Sequence, residues 1–315
     1  YGIAQVSMNI TNINTTPLHV AFDEVCRAAA ARGIRVTGTE IVGLIPKREL
    51  TDAGRHFLEK QQRSTGVPEE DIVRMAIKSM SLDDLKPFHP REKVIEYLLE
   101  DAQPVKRLAD LTVKEFVEET SRESPAPGGG TIAACMGALG AALGTMVANL
   151  SAHKRGWDDR WQEFSQWADK GQVLVSSLLH LIDEDTAAFN RIMEAFGMPK
   201  TTPEEKQARS AAIQAATLYA SEVPLETMRE SMKAFEICRA MAETGNPNSV
   251  SDAGVGALAA RAAVRGASMN VRINASSLKD KATAQRLIDE ANALAAKADA
   301  EEAAISAIVD GKING

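Results

Sequence analysis

One carboxylate stands where the surrounding pattern asks for a hydrocarbon. In "LVSSLLHLIDEDTAAFNRIMEAF" the apolar residues Leu174, Leu178, Leu181, Ala188, Ile192 and Ala195 recur at helical spacing, and position 185 on that seam is Asp185. Its neighbours Asp183 and Glu184 point elsewhere and can be solvated. A carboxylate on an apolar seam is costly unless it is paired or hydrogen-bonded. Burial raises its pKa, which suits a general acid or base near neutral pH. The competing reading is a core aspartate that caps a neighbouring helix, and the pattern leaves both open.

A second feature is "ESPAPGGGTIAACMGALGAALGTMVANL", residues 123–150. Gly128, Gly129 and Gly130 precede a run of small residues with no charge after Glu123. Thr131–Leu150 is uncharged for 20 residues, long enough to span a bilayer. Its alanines and glycines give weak apolar drive, and no aromatic or basic anchors flank both ends. A buried helix in a domain core or at a subunit contact is the expectation, since glycine and alanine let backbones approach closely.

Polar residues crowd the turn "GNPNSVSDAG", residues 245–254: Asn246, Asn248, Ser249, Ser251 and Asp252. Ser249 or Ser251 can cap the next helix. Farther along, Asn270 and Asn274 stand four apart and share a helix face. Two amides facing one way can read a heterocycle, or tie two helices together. Trp157, Trp161 and Phe164 form a helical stripe, read as core ahead of ligand platform. The adjacent Lys154 and Arg155 offer an anion clamp in an otherwise acidic chain, or a solvated charge pair. The five histidines have no ligand spacing, so no metal is expected. Cys26, Cys135 and Cys238 are far apart and odd in number, which suits reduced thiols in the cytoplasm.

The elements that must position these residues divide the chain. Its 315 residues suggest two domains. With 44% hydrophobic and 4% aromatic residues, alanine-rich helices packed closely are expected. A net charge of −7 gives no reason to expect nucleic acid. Residues 1–11 alternate as a half-buried strand, and 34–45 read as one or two strands. Thr16-Pro17 opens a helix closed by Gly33, and helical patterns follow at 47–63, 68–80 and 90–100. Residues 1–101 are therefore predicted to be a small α+β domain, followed by a linker at 102–111. From Thr112 the strand patterns vanish. Thr112 with Glu115, and Thr202 with Glu205, make capping boxes. Helices are predicted at 112–122, 130–150, 157–196, 203–242, 252–275 and 280–312, an all-α bundle over 112–315. No secretory signal is visible. The chain opens on Tyr1 rather than Met, and the native protein is expected to extend upstream.

Together these motifs resemble a known family. "SPAPGGGTIAA", "DEDTAAF" and "GNPNSVSDAGVGALAARAAVRGASMNVRIN" occur in the order and spacing of the cyclodeaminase domain of formimidoyltransferase-cyclodeaminases. Residues 1–101 resemble the C-terminal subdomain of the transferase part, through "QVSMNI", "TPLHVAFDEVCR", "GTEIVGLIP" and "LKPFHPREKVIEYL". The resemblance implies an all-helical dimer with a folate site near the subunit contact, assembled into a larger ring, usually an octamer. It implies closure of 5-formimidoyltetrahydrofolate to 5,10-methenyltetrahydrofolate with loss of ammonia, in histidine breakdown. The companion activity moves the formimidoyl group from N-formimidoylglutamate to tetrahydrofolate. Thr131 stands where the family motif usually has serine, and keeps the hydroxyl. The subdomain bearing the transferase's catalytic histidine is expected upstream of Tyr1, so none is assigned here.

On this reading Asp185 is the expected acid–base residue, with Asp252 second. Ser124, Gly128, Gly129, Gly130, Lys154, Arg155, Asn246, Asn270 and Asn274 are the expected folate-binding residues. The glycines would leave a helix N-terminus open to an electron-rich or anionic ligand such as a polyglutamylated folate. Two rivals stay open: a methenyltetrahydrofolate cyclohydrolase with water as reactant, and a non-catalytic assembly module.

Overall fold

The computed structural model describes residues 2–102, 107–124 and 126–314. The predicted linker falls partly outside these residues, as does Pro125 of the glycine motif. The chain divides into two units, Tyr1–Val105 and Lys106–Gly315.

The first unit is built from α1 (Leu18–Ala30), α2 (Lys47–Lys60), α3 (Glu69–Ser79), α4 (Pro90–Lys93) and α5 (Ile95–Ala102). Leu50, Ala53 and Phe57 of α2 meet Val73 and Ala76 of α3 in its core, with Met80, Leu82 and Val94. Buried Glu49 accepts the Leu18 N–H at 2.8 Å and so caps α1 from α2. His56 Nε2 lies 2.8 Å from Asp23, a second tie between these two helices.

The strands predicted at 1–11 and 34–45 are absent among the described residues. A single parallel bridge joins Ile45 to Val94, so the α+β character of this unit is not confirmed. A strand is defined by its ladder partner as much as by its own pattern. Here Val6, Val42 and Leu44 keep 67%, 89% and 58% of their surface exposed. The same bridge corrects the helix predicted at 90–100. Val94 turns extended so that Ile45 N–H reaches Lys93 O and Ile95 N–H reaches Ile45 O, which splits the segment into α4 and α5.

The second unit is all-helical: α6 (Val113–Thr120), α7 (Gly129–Ala152), α8 (Trp161–Gly197), α9 (Pro203–Thr244), α10 (Val250–Ser276) and α11 (Lys281–Asn314). Both predicted capping boxes form, at Thr112 with Glu115 and at Thr202 with Glu205. Leu108 donates its N–H to Asp183 of α8 at 2.6 Å, so the end of the predicted linker packs onto this unit.

Helix α7 is long and apolar enough to cross a membrane by length and composition. It packs instead against α8, α9 and α10. A methyl group on Gly140 would lie 2.7 Å from the Gly256 carbonyl oxygen, so α7 and α10 are spaced by backbone alone. Of the aromatic stripe, Phe164 is fully buried in the core and the half-buried Trp157 stacks on it at 5.5 Å, while Trp161 is only half-buried.

Helix α9 runs through Pro224 without stopping. Proline has no N–H, so the carbonyl four residues back loses its partner. That carbonyl belongs to Ala220, and Asn274 of α10 donates to it at 2.7 Å. Asn274 therefore stitches α9 to α10 at the one point where α9 cannot satisfy itself. Asn274→Ala should cost about 1–3 kcal/mol, the penalty for an unsatisfied buried carbonyl. Pro224→Ala restores an N–H, so the double variant should lose less than the two single variants added. A strictly additive cycle in denaturant titrations would refute this coupling.

Candidate functional site

The seam on α8 places Asp185 against the first turn of α7. The Thr131 hydroxyl donates to its Oδ2 at 2.9 Å, and the Thr131 backbone N–H also bonds the carboxyl. A methyl group on Gly130 would fall 2.1 Å from Oδ1, so only glycine at 130 lets the carboxyl lie against the α7 backbone. Burial pushes the Asp185 carboxyl above the usual carboxylate range, and the two Thr131 hydrogen bonds pull partly against it. Free N–H groups in the first turn of a helix carry partial positive charge. The site thus joins a carboxyl of raised proton affinity to a donor-rich helix end.

Asn270 lies over this turn. Its Nδ2 sits 3.4 Å from where a Gly129 side chain would begin, and it donates to Gly266 of its own helix at 3.1 Å. Gly128, Gly129, Gly130, Asp185 and Asn270 therefore form one cluster. Asn274, one turn further along α10, is occupied by Ala220 O through its amide nitrogen. Ser124 is exposed and donates to Ala126 O at 2.6 Å.

The remaining expected residues lie elsewhere. Asn246 donates its backbone N–H to Ser151, at the far end of α7. Lys154 and Arg155 follow that same end. With 24 residues in α7, about 36 Å of helix separates them from the glycine turn. Asp252 sits in the first turn of α10. Eighteen residues before Asn270, it is about 27 Å away along that helix. Lys154 sits 3.8 Å over the Trp157 ring, just past a helix C-terminus where cations are favoured. Asn246 Oδ1 accepts the Asn248 N–H at 3.2 Å and caps a short turn. Ser249 stands at the N-cap of α10 but makes no side-chain cap.

Two neighbours of Asp185 differ from their expected solvation. Asp183 anchors Leu108, and Glu184 accepts from the Tyr219 hydroxyl of α9. Arg191 lies 4.1 Å over the Tyr219 ring. Sequence reading also passed over Thr131 as a ligand of Asp185; the Gly-x-x-Thr spacing at a helix start was the available signal. Among the described residues no cluster of three or more His, Cys, Asp or Glu is arranged to hold a metal ion.

Comparison with known proteins gives this geometry a context. The family described as formiminotransferase-cyclodeaminase matches residues 112–293, and the formiminotransferase domain matches residues 1–100. A formimidoyltransferase-cyclodeaminase from Gallus gallus is 37% identical over 280 residues, covering 89% of this chain and 52% of that protein. A methenyltetrahydrofolate cyclohydrolase from Methylorubrum extorquens is 39% identical over 203 residues, covering 64% of this chain and 98% of that protein. The crystal structure of formiminotetrahydrofolate cyclodeaminase from Thermotoga maritima superposes with a TM-score of 0.58 at 26% identity. That match covers 66% of this chain and all of the other. The chain spans about half the length of the curated formimidoyltransferase-cyclodeaminases it matches. It belongs to the formiminotransferase-cyclodeaminase family.

The glycines separate structural from site effects. At Gly140 a methyl meets backbone, which cannot rotate away; at Gly130 it meets the Asp185 side chain, which can. Gly140→Ala should cost roughly 1–3 kcal/mol by overpacking. Gly130→Ala should melt closer to the parent yet lose at least about tenfold in turnover, because the carboxyl is displaced. Equal melting losses with normal turnover in Gly130→Ala would show that the glycine turn serves packing alone.

Proposed function

We propose that this chain is a cyclodeaminase that closes 5-formimidoyltetrahydrofolate to 5,10-methenyltetrahydrofolate and releases ammonia. The observation that carries the reading is the half-buried Asp185 carboxyl held against the glycine turn of α7. In the reaction, N10 of the folate attacks the formimidoyl carbon and a C–N bond forms. The formimidoyl group enters as its amidinium cation, so the proton that N10 carries after attack need only reach the exocyclic NH2; that C–N bond then breaks, ammonia leaves, and the positive charge stays on the methenyl product. Asp185 takes the N10 proton and returns it to the departing nitrogen, leaving no net change on the carboxyl. Its carboxylate form also faces the carbon that becomes cationic. Raised proton affinity suits both transfers, since a general acid–base group works best with a pKa near the operating pH. Gly129 and Gly130 leave the α7 N–H groups open to the electron-rich atoms of the folate.

The match to nearly the whole length of a methenyltetrahydrofolate cyclohydrolase supports a second reading. There the same carboxyl would activate water toward the methenyl carbon. Turnover of the two folates side by side decides between them, and folate binding by calorimetry tests the non-catalytic alternative. We assign no transferase residue to the first unit. The free cysteines of the chain, Cys26, Cys135 and Cys238, suit a reducing cytoplasm.

We further propose that the chain works as a homo-oligomer, at least a dimer, with rings as large as octamers. On α7, Leu139, Met146 and Leu150 are 58%, 38% and 46% exposed in the single chain. Val255, Leu258, Met269 and Ile273 of α10 are 53%, 49%, 61% and 68% exposed. Both rows repeat at helical spacing. They adjoin, because a methyl on Gly266 of α10 would meet Met136 of α7 and one on Gly256 would meet Leu143. A second copy packed antiparallel on this face would set Lys154 and Arg155 of the partner subunit beside the glycine turn. That would unite the two clusters at the ends of α7 and supply cations for the folate's glutamate tail.

Asp185→Asn should fold and bind folate but lose at least about a hundredfold in cyclisation, the usual scale of acid–base assistance. Stability gives a second readout. The native carboxyl binds its proton more tightly than the unfolded one, so its contribution to stability falls as pH rises through that window. Asp185→Asn should therefore melt no lower than the parent near neutral pH, and relatively higher as pH increases. Near-normal turnover in the folded variant sinks the assignment. Light scattering coupled to size exclusion tests assembly: a fully active 33.8 kDa monomer at assay concentration would exclude the shared site.

A further inference from the structure

Thr131 has no exposed surface. Its hydroxyl has one proton and two lone pairs. The proton goes to Asp185 Oδ2 at 2.9 Å. The Gly128 N–H donates to the Thr131 hydroxyl oxygen at 3.4 Å. The Thr186 hydroxyl lies 3.5 Å away. With its proton already committed, Thr131 can only accept from these two. Every contact thus aims the Thr131 proton at one carboxylate oxygen. The other oxygen, Oδ1, lies against the α7 backbone at Gly130, 2.1 Å from where a side chain would begin, and takes no side-chain hydrogen bond among the described residues.

We propose that Thr131 is a positioning residue that holds Oδ2 of Asp185 and leaves Oδ1 as the oxygen that exchanges protons with the substrate. The inference rests on Asp185 being the acid–base group. Anchoring one oxygen fixes the carboxyl plane, so that Oδ1 presents a lone pair along one direction. A freely turning carboxyl would spread its proton transfers over several poses and lose the benefit of orientation. The donated proton also stabilises the charged form, which opposes burial and keeps Asp185 able to accept as well as give.

Charged neighbours do not take over this role. Helix α7 has no charged side chain from Gly129 to Ala152. On α8, Asp183 and Glu184 are bound to Leu108 and Tyr219. On α10, Arg272 donates to Ser268 O, and on α9, Glu222 is exposed. Burial and Thr131 are what shift the carboxyl.

The test uses the full chain with 5-formimidoyltetrahydrofolate, and compares Thr131→Val, which keeps the shape, with Thr131→Ser, which keeps the hydroxyl. Thr131→Val should lower kcat by about ten- to a hundredfold, the scale of one hydrogen bond to a charged group, with KM nearly unchanged. The pH–rate limb set by the carboxyl should move to higher pH. Thr131→Ser should retain both properties. The Asp185 carboxyl, followed by carbon-13 NMR without folate, should titrate higher in Thr131→Val and as in the parent in Thr131→Ser. If Thr131→Val does not fold, Thr131→Ala takes its place. An unchanged kcat and pH profile in the hydroxyl-free variant, with Asp185→Asn inactive, overturns the positioning role and spares Asp185. Equal losses in Thr131→Ser overturn it as well. An active Asp185→Asn removes the reading beneath both.

Discussion

The helical unit depends on how closely α7 approaches its neighbours. A helix whose buried residues are mostly glycine and alanine can lie almost in backbone contact with α10, as at Gly140 and Gly256. Close-packed backbones have little freedom to slide, because interiors pack at crystal-like density. The first turn of α7 inherits that fixity. There the same device serves a carboxyl instead of another helix: glycine at 130 admits the Asp185 side chain where any other residue would exclude it. Small residues thus set the spacing of the bundle and open its proposed site.

Such packing leaves few places to put polar groups, and the structure disposes of them by pairing. Pro224 strands a carbonyl inside α9, and an amide from α10 fills the vacancy. Ser151 accepts the Asn246 N–H where α10 approaches the end of α7. Asp183 holds the chain entering the unit. Asp185 is the exception, because its pairing with Thr131 recovers only part of what burial costs. A buried titratable group left at a net disadvantage is where function is expected to have been placed.

Much of this was legible in the sequence. Both capping boxes are local, and so they formed as read. The helical periods of the second unit needed no distant partner to be recognised. Asp185 stood out because it broke a periodic pattern, and Thr131 did not because it broke none. The strands at 1–11 and 34–45 failed for the opposite reason: alternation states a willingness to pair, and pairing needs another strand. Asn274 was half legible, since Pro224 announces an orphan carbonyl but cannot say which side chain will reach it. Least legible was distance. Lys154 and Arg155 are nearer the glycine motif in sequence than Asp185 is, yet α7 carries them to its other end, where Asn246 also lies.

That separation bears on how a single carboxyl can serve an addition and an elimination. A carboxylate paired with a cation would hold its charge too firmly to take up a proton near neutral pH, and one buried with no donor would hold its proton too firmly to release it. Asp185 has neither extreme. Burial raises its proton affinity, the Thr131 hydroxyl lowers it, and no charged neighbour on its own chain contributes. In the proposed reaction the only cationic charge it meets is the one that develops on the substrate carbon. Keeping Lys154 and Arg155 a helix length away within the chain preserves that balance. A cation brought back by a second subunit would suit the folate tail only if it met the tail and stayed clear of Asp185. The length of α7 is what makes such a division possible.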